Sequence, residues 1–103
     1  MTGGLLKVKI TQIKLKVPYD ELMERFKKDA PLFNEVGITW KIWMENKEEG
    51  LLGSIMLFKD LEAFDNYPNH PIQKNAPRHM FEVVSSQTFD VVEDLSLINN
   101  API

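Results

Sequence analysis

The sequence predicts an α+β fold in the order β-α-β-β-α-β, and three observations carry the prediction. Apolar residues alternate with a period of two near the start, twice in the middle and again near the end of the chain. Two stretches with helical spacing separate the first strand from the second and the third from the fourth. A charged turn ending in Gly50 joins the two middle strands as a hairpin. The product of this order is a four-stranded antiparallel sheet with both helices on one face, the ferredoxin-like arrangement. A length of 103 residues fits one domain, read as residues 1–103.

In the first strand Leu6, Val8 and Ile10 alternate with lysines, and so do Ile13, Leu15 and Val17. The apolar phase slips by one residue between the two halves, which predicts a bulge near Thr11–Gln12. The first helix begins at Pro18 or just after it. Asp20, Glu21 and Glu24 lie early and Arg25, Lys27 and Lys28 later, in favourable dipole order. Leu22, Phe26 and Ala30 share a face; Pro31 predicts a break, and Gly37 the end.

Ile38–Asn46 and Gly50–Phe58 read as the hairpin. Asp60 suits the N-cap of a short helix carrying Leu61, Phe64 and Tyr67 on one side. Pro68, Pro71 and Pro77 keep the next stretch irregular or in short turns. "MFEVVSSQTFDVV" reads as the last strand, and "EDLSLINN" as a tail anchored by Leu95 and Ile98.

Three of these strands are apolar on both sides. Ile38, Trp40, Ile42 and Met44 share one face, read as the helix-covered one, and Trp43 takes the other. Leu51, Ile55 and Leu57 oppose Leu52, Met56 and Phe58; Phe81, Val83, Phe89 and Val91 oppose Val84 and Val92. An antiparallel sheet with one wet face alternates more cleanly than this. The predicted cover for the second face is a second copy of the chain, giving a homodimer through sheet faces. The lysines of the first strand then lie toward the partner or its rim, their stems along apolar surface.

Composition narrows the function. The chain is 44% hydrophobic, 26% charged and 10% aromatic, the profile of a folded domain rather than a disordered one. It has no cysteine, so disulfide, thiolate-metal and thiol chemistry are excluded. No apolar run reaches membrane-spanning length, and lysines interrupt the N-terminal residues too often for a signal peptide, so the expected location is cytoplasmic. A net charge of −3 disfavours nucleic acid as partner; Lys7, Lys9, Lys14 and Lys16 read as a solvated strand face. No nucleotide-binding, nucleophile-elbow or zincin motif is present.

His70 and His79 are the only side chains that titrate near neutral pH without a large shift. Nine residues apart in a proline-rich region, with no cysteine, they fit no metal site, so no metal is expected. Trp40 and Trp43 are core residues first, with the Trp40 N–H placed to donate into a pocket and Trp43 to pack on the dimer face. Ser85 and Gln87 put polar groups on the same strand face as Phe81 and Phe89, where they need partners. Glu48–Glu49 and Glu93–Asp94 read as turn and cap residues.

"GITWKIWMENK", "GSIMLFKDLEAFDNY" and "FDVVEDLSLIN" together resemble the YdhR-type monooxygenases, a branch of the dimeric α/β-barrel superfamily, over Leu5 to Asn99. The resemblance implies sheet-to-sheet dimers and, from related families, oxidation of a small hydroxylated aromatic compound by O2 with neither metal nor flavin. There the substrate is deprotonated and itself gives an electron to oxygen. It points to His70 as base or anion stabiliser and to Trp40 beside it as a second catalytic candidate. Tyr67, Phe58, Phe26 and Trp43 become candidate substrate-binding residues. Pro68 and Pro71 depart from the smoother helix of such proteins. Two other functions suit the same fold: a non-enzymatic small-molecule-binding or stress-related dimer, and a haem-degrading monooxygenase.

Overall fold

In the computed structural model, residues 6–103 are described. Strand β1 (Lys7–Leu15) leads into helix α1 (Tyr19–Phe33), and the hairpin β2 (Ile38–Asn46) and β3 (Leu51–Phe58) follows. Two short helices, α2 (Leu61–Asn66) and α3 (Pro71–Lys74), precede β4 (Phe81–Asp90) and a last helix α4 (Glu93–Ile98). The four strands form one antiparallel sheet in the order β2-β3-β1-β4. This is the ferredoxin-like topology expected from the element order.

Local signals act as their chemistry dictates. Asp60 Oδ1 accepts from the Ala63 N–H at 2.8 Å and caps α2. Gly50 closes the hairpin turn at φ 66°, where a side chain would be strained. Gly37, at φ 79°, lets the start of β2 press on α2; a Cβ there would lie 2.7 Å from the Cβ of Ala63. Helix α1 does not break at Pro31 but runs two residues past it. So close to the helix end, a proline disturbs only a final turn that was about to stop.

Two buried clusters hold the helices on the sheet. Ile13, Leu22, Leu52 and Met80 form one; Val36, Met56, Phe58 and Tyr67 form the other. Phe58 is fully buried, edge-on to both Phe64 and Tyr67 at 5.4 Å.

Two bulges set which side chain faces which way, and both differ from expectation. Ile38 pairs with Phe58 but Trp40 pairs with Leu57, so Thr39 is an extra residue in β2. Ile38 therefore faces the helices, while Trp40, Ile42 and Met44 face away from them. In β4, Val83 pairs with Ile13 but Ser85 with Gln12, so Val84 is extra. Phe81 and Val83 thus face the helices, whereas Ser85, Gln87 and Phe89 share the opposite face, correcting the placement of Phe89 beside Phe81. Strand β1 has no bulge: its register with β3 is unbroken from Val8 to Lys14. Its phase change is real, because Val8 and Ile10 serve the open face and Ile13 and Leu15 the helix face. Lys7 and Lys9 consequently point to the helix side, where Lys7 pairs with Asp90; Lys14 is on the open face.

The open face is partly covered by the chain itself. Residues after β4 cross from one edge strand to the other, and the Trp40 Nε1–H donates to the Pro102 carbonyl at 2.9 Å. Leu57, between them, is 1% exposed. Beyond this strap Ile42, Met44, Val84 and Phe89 remain exposed. So do Leu95 and Ile98 of α4, at 64% and 73%; among the described residues they are not buried against the fold, contrary to their expected role as anchors.

Candidate functional site

A cavity of about 120 Å³ lies between the helices and the sheet. It sits where the two buried clusters meet, lined by Ile13 and Leu52 of one and Met56 and Tyr67 of the other. The sequence leaves this gap because the middle row of the sheet is small. Trp43 pairs across to Ser54, and Ser54 to Thr11. Two short hydroxyl side chains thus form the floor where neighbouring rows carry Leu52–Ile13 and Met56.

Aromatic rings make the walls. Phe26 and Phe33 descend from α1 onto Trp43, with centroids 5.1 and 5.7 Å from its ring, and Phe81 closes the far side of Phe26 at 6.2 Å. Into this box runs Lys41. Its Nζ lies 3.2 Å from the Phe33 ring centre and 3.8 Å from that of Trp43. Burial pushes its amine down from 10.5 to about 7, against a smaller upward pull from Asp29. Among the described residues no carboxylate lies within ion-pair distance of Lys41.

Asp29 also lines the cavity but is already engaged. The Arg25 Nε–H donates to its two oxygens at 3.1 and 3.3 Å, one helical turn away. The same Arg25 donates to the Asn75 carbonyl at 3.0 Å, tying α1 to α3. Tyr67 contributes its ring, and burial pushes its hydroxyl up to about 12, with Arg78 pulling the other way. It is therefore a hydrogen-bond donor at any ordinary pH. Among the described residues its hydroxyl has no hydrogen-bond partner.

The sequence-predicted residues divide. Phe26, Trp43 and Tyr67 line the cavity, Trp43 from the face opposite to the one expected. Phe58 lies behind Tyr67 and does not reach the cavity. Trp40 was expected on the helix-covered face; the Thr39 bulge puts its indole on the other side of the sheet, bonded to the strap. His70 is not among the lining residues either. It is the N-cap of α3, where its Nδ1 accepts from the Ile72 N–H at 3.1 Å, and it stands behind Ile72 and Gln73, which do line the cavity. His79 is exposed.

Lys41, Asp29, Phe33, Thr11, Ser54 and Gln73 escaped the sequence reading. One signal was there. Lys41 is the one charged residue in the stretch Ile38–Met44, between Trp40 and Trp43, and it shares the face of whichever tryptophan lies two residues away.

Comparison with known proteins bears on this geometry. No curated protein matches the sequence. Among solved structures, SnoaB, a cofactor-independent oxygenase from Streptomyces nogalater, superposes with a TM-score of 0.71 at 14% identity, covering 82% of this chain and 91% of SnoaB. A dimeric ferredoxin-like protein from an uncultured marine organism superposes at 0.66 and 15% identity, covering 85% and 96%. At such identities the likeness concerns the fold. The sequence itself carries more: residues 7–102 match the family described as "Putative mono-oxygenase ydhR", and across that span the chain belongs to this family.

Proposed function

We propose that the protein oxidises a small hydroxylated aromatic compound with O2, with no cofactor, inside the cavity under α1. The observation that carries the reading is the cavity itself. It is apolar, walled by Phe26, Phe33, Trp43 and Phe81, and floored by hydroxyls. Its 120 Å³ is close to the roughly 150 Å³ that holds one benzene ring in an engineered protein cavity. That size favours a monocyclic phenol over a polycyclic one.

The chemistry balances without an external reductant. A phenol with a free para carbon plus O2 gives a para-quinone plus water, and all the electrons come from the substrate. Ionisation of the hydroxyl starts it, because a phenolate gives up an electron far more readily than a phenol. The protein's task is to bind the ring, favour its anion and keep water out. Tyr67 supplies a donor to the anion. His70 is a positioning residue here, fixing the start of α3 and through it Ile72 and Gln73.

The family relationship and the fold shared with an oxygenase support this reading. The exposed apolar patch on the open face, together with the dimeric neighbour of the same fold, supports a homodimer through that face.

The test is oxygen uptake by chelated, flavin-free protein given a panel of monocyclic phenols and hydroquinones, with product masses read in parallel. Uptake should accompany a product that has gained one oxygen and lost two hydrogens. Saturable binding with neither uptake nor product, across the panel, would instead mark a binding module.

A further inference from the structure

We propose that Lys41 is the group that takes the proton from the substrate hydroxyl and then holds the resulting phenolate. The inference rests on the oxygenase reading for its substrate class and concerns a residue that the oxygenase reading above leaves without a role.

Position comes first. Lys41 is the only basic residue among those lining the cavity. Its amine is presented through a box of two aromatic faces rather than lying on the surface with a carboxylate. Lysine side chains on edge strands ordinarily reach water. This one turns inward because Met56, its cross-strand neighbour, and Lys41 itself face the helices.

Charge comes second. A phenolate moved into an apolar cavity needs a counter-charge, or it stays protonated. The other ionisable groups facing Lys41 cannot serve. Asp29, from α1, carries the wrong sign and is held by Arg25. Tyr67, after α2, stays neutral and brings no counter-charge. Lys9, from β1, lies on the same sheet face across Met56 but is not among the lining residues. Arg25 and Arg78 spend their donors on Asp29 and on the Asn75 and Gln73 carbonyls.

Proton affinity comes third. The two ring faces favour the ammonium, while burial disfavours it. Burial outweighs the upward pull of Asp29 and leaves about half of the amine neutral near pH 7, free to accept a proton. The transfer is simple: the O–H bond of the phenol breaks, an N–H bond forms on Nζ, and an ammonium–phenolate pair remains in the cavity. The amine gives the proton back when the water by-product forms.

The probe is 4-nitrophenol, whose phenol and phenolate forms absorb at different wavelengths, with nitrobenzene as its neutral counterpart. Bound to the full-length protein at neutral pH, where Lys41 still has neutral amine to offer, 4-nitrophenol should show the phenolate band beyond its share in free solution. In Lys41→Met that band should vanish and affinity for the ionised probe should fall by about tenfold or more, the scale of a lost charge-assisted contact. Nitrobenzene should bind Lys41→Met as it binds the wild type, which shows the cavity intact; if it does not, Lys41→Gln takes its place. Lys41→Arg should still bind phenolate at high pH but lose phenol turnover, since a guanidinium accepts no proton.

An equal phenolate fraction in wild type and Lys41→Met overturns the inference, and so does failure of the wild type to bind the probe. The two readings separate cleanly. Undiminished oxygen uptake by Lys41→Met removes the lysine and leaves the oxygenase. Lysine-dependent phenolate capture without oxygen uptake on any phenol removes the oxygenase and leaves the lysine.

Discussion

The two faces of this sheet carry similar apolar residues and put them to opposite use. On the helix face, Leu52, Met56 and Phe58 lie under helices and are buried, and a gap opens only where Ser54 and Thr11 replace larger side chains. On the open face, Ile42, Met44 and Phe89 have no layer above them among the described residues and stay half exposed. There the strap to Pro102 crosses beside Leu57, which is buried. The difference teaches that a cavity comes from too little side chain under a complete layer. An exposed apolar face comes from enough side chain with no layer above it among the described residues. Both come from one alternating pattern, and the helices decide which is which.

The contrast makes its largest prediction about size of effect. Phe58→Ala should cost about 3–5 kcal/mol of stability, because it opens a void among Phe64, Tyr67 and Met56 that the packed layer cannot refill. Phe89→Glu, on the open face, should change the stability of a single folded chain by less than about 1 kcal/mol, yet convert a dimer to a monomer in light scattering. A wild-type monomer, or an unchanged mass in Phe89→Glu, would show that the exposed residues are not the contact.

Lys41 sharpens the comparison from within the helix face. Below pH 7 the amine is charged in both folded and unfolded chains, and its burial penalty is fully present. Between about 7 and 10.5 the unfolded chain binds the proton and the folded chain does not, so stability rises with pH. Above 10.5 both are neutral and the penalty is gone. Lys41→Met should therefore stabilise by about 1–2 kcal/mol at pH 6–7, the full shift being offset by solvent access and the lost aromatic contacts. The gain should shrink steadily toward pH 10. Urea midpoints of the two proteins across that range test it; a difference that does not vary with pH would mean the amine is not desolvated.

How much of this was legible follows from the same two bulges. The element order, the Asp60 cap, the Gly50 turn and the two-sided apolar strands are properties of composition and period, and they read correctly from the chain. Face assignment is not such a property. It depends on counting by twos from an anchor, and one extra residue reverses everything beyond it. Thr39 and Val84 are β-branched, good strand formers that give no sign of standing outside the ladder. Counting from Ile38 through Thr39 sent both tryptophans to the wrong faces and hid Lys41. Titration range and the family resemblance both point to His70; that its nitrogen is spent capping α3 depends on Pro71 starting a helix there, where the prolines predict irregular chain.

The smallest predicted effect tests that face assignment most directly. Trp40→Phe removes the N–H that reaches the Pro102 carbonyl but keeps an aromatic ring against Leu57. Because Pro102 is exposed, water replaces the lost donor, and the cost should be only about 0.5–1 kcal/mol. Amide exchange in residues 99–103 should quicken as the strap loosens. Ligand binding in the cavity should be unaffected, since the sheet lies between the two. Trp43→Phe should do the reverse, leaving the strap intact while weakening the wall shared with Phe26, Phe33 and Lys41. The swapped pattern, with 4-nitrophenol affinity lost in Trp40→Phe and kept in Trp43→Phe, would mean that the two tryptophans have exchanged faces, and the Thr39 bulge would have to be abandoned.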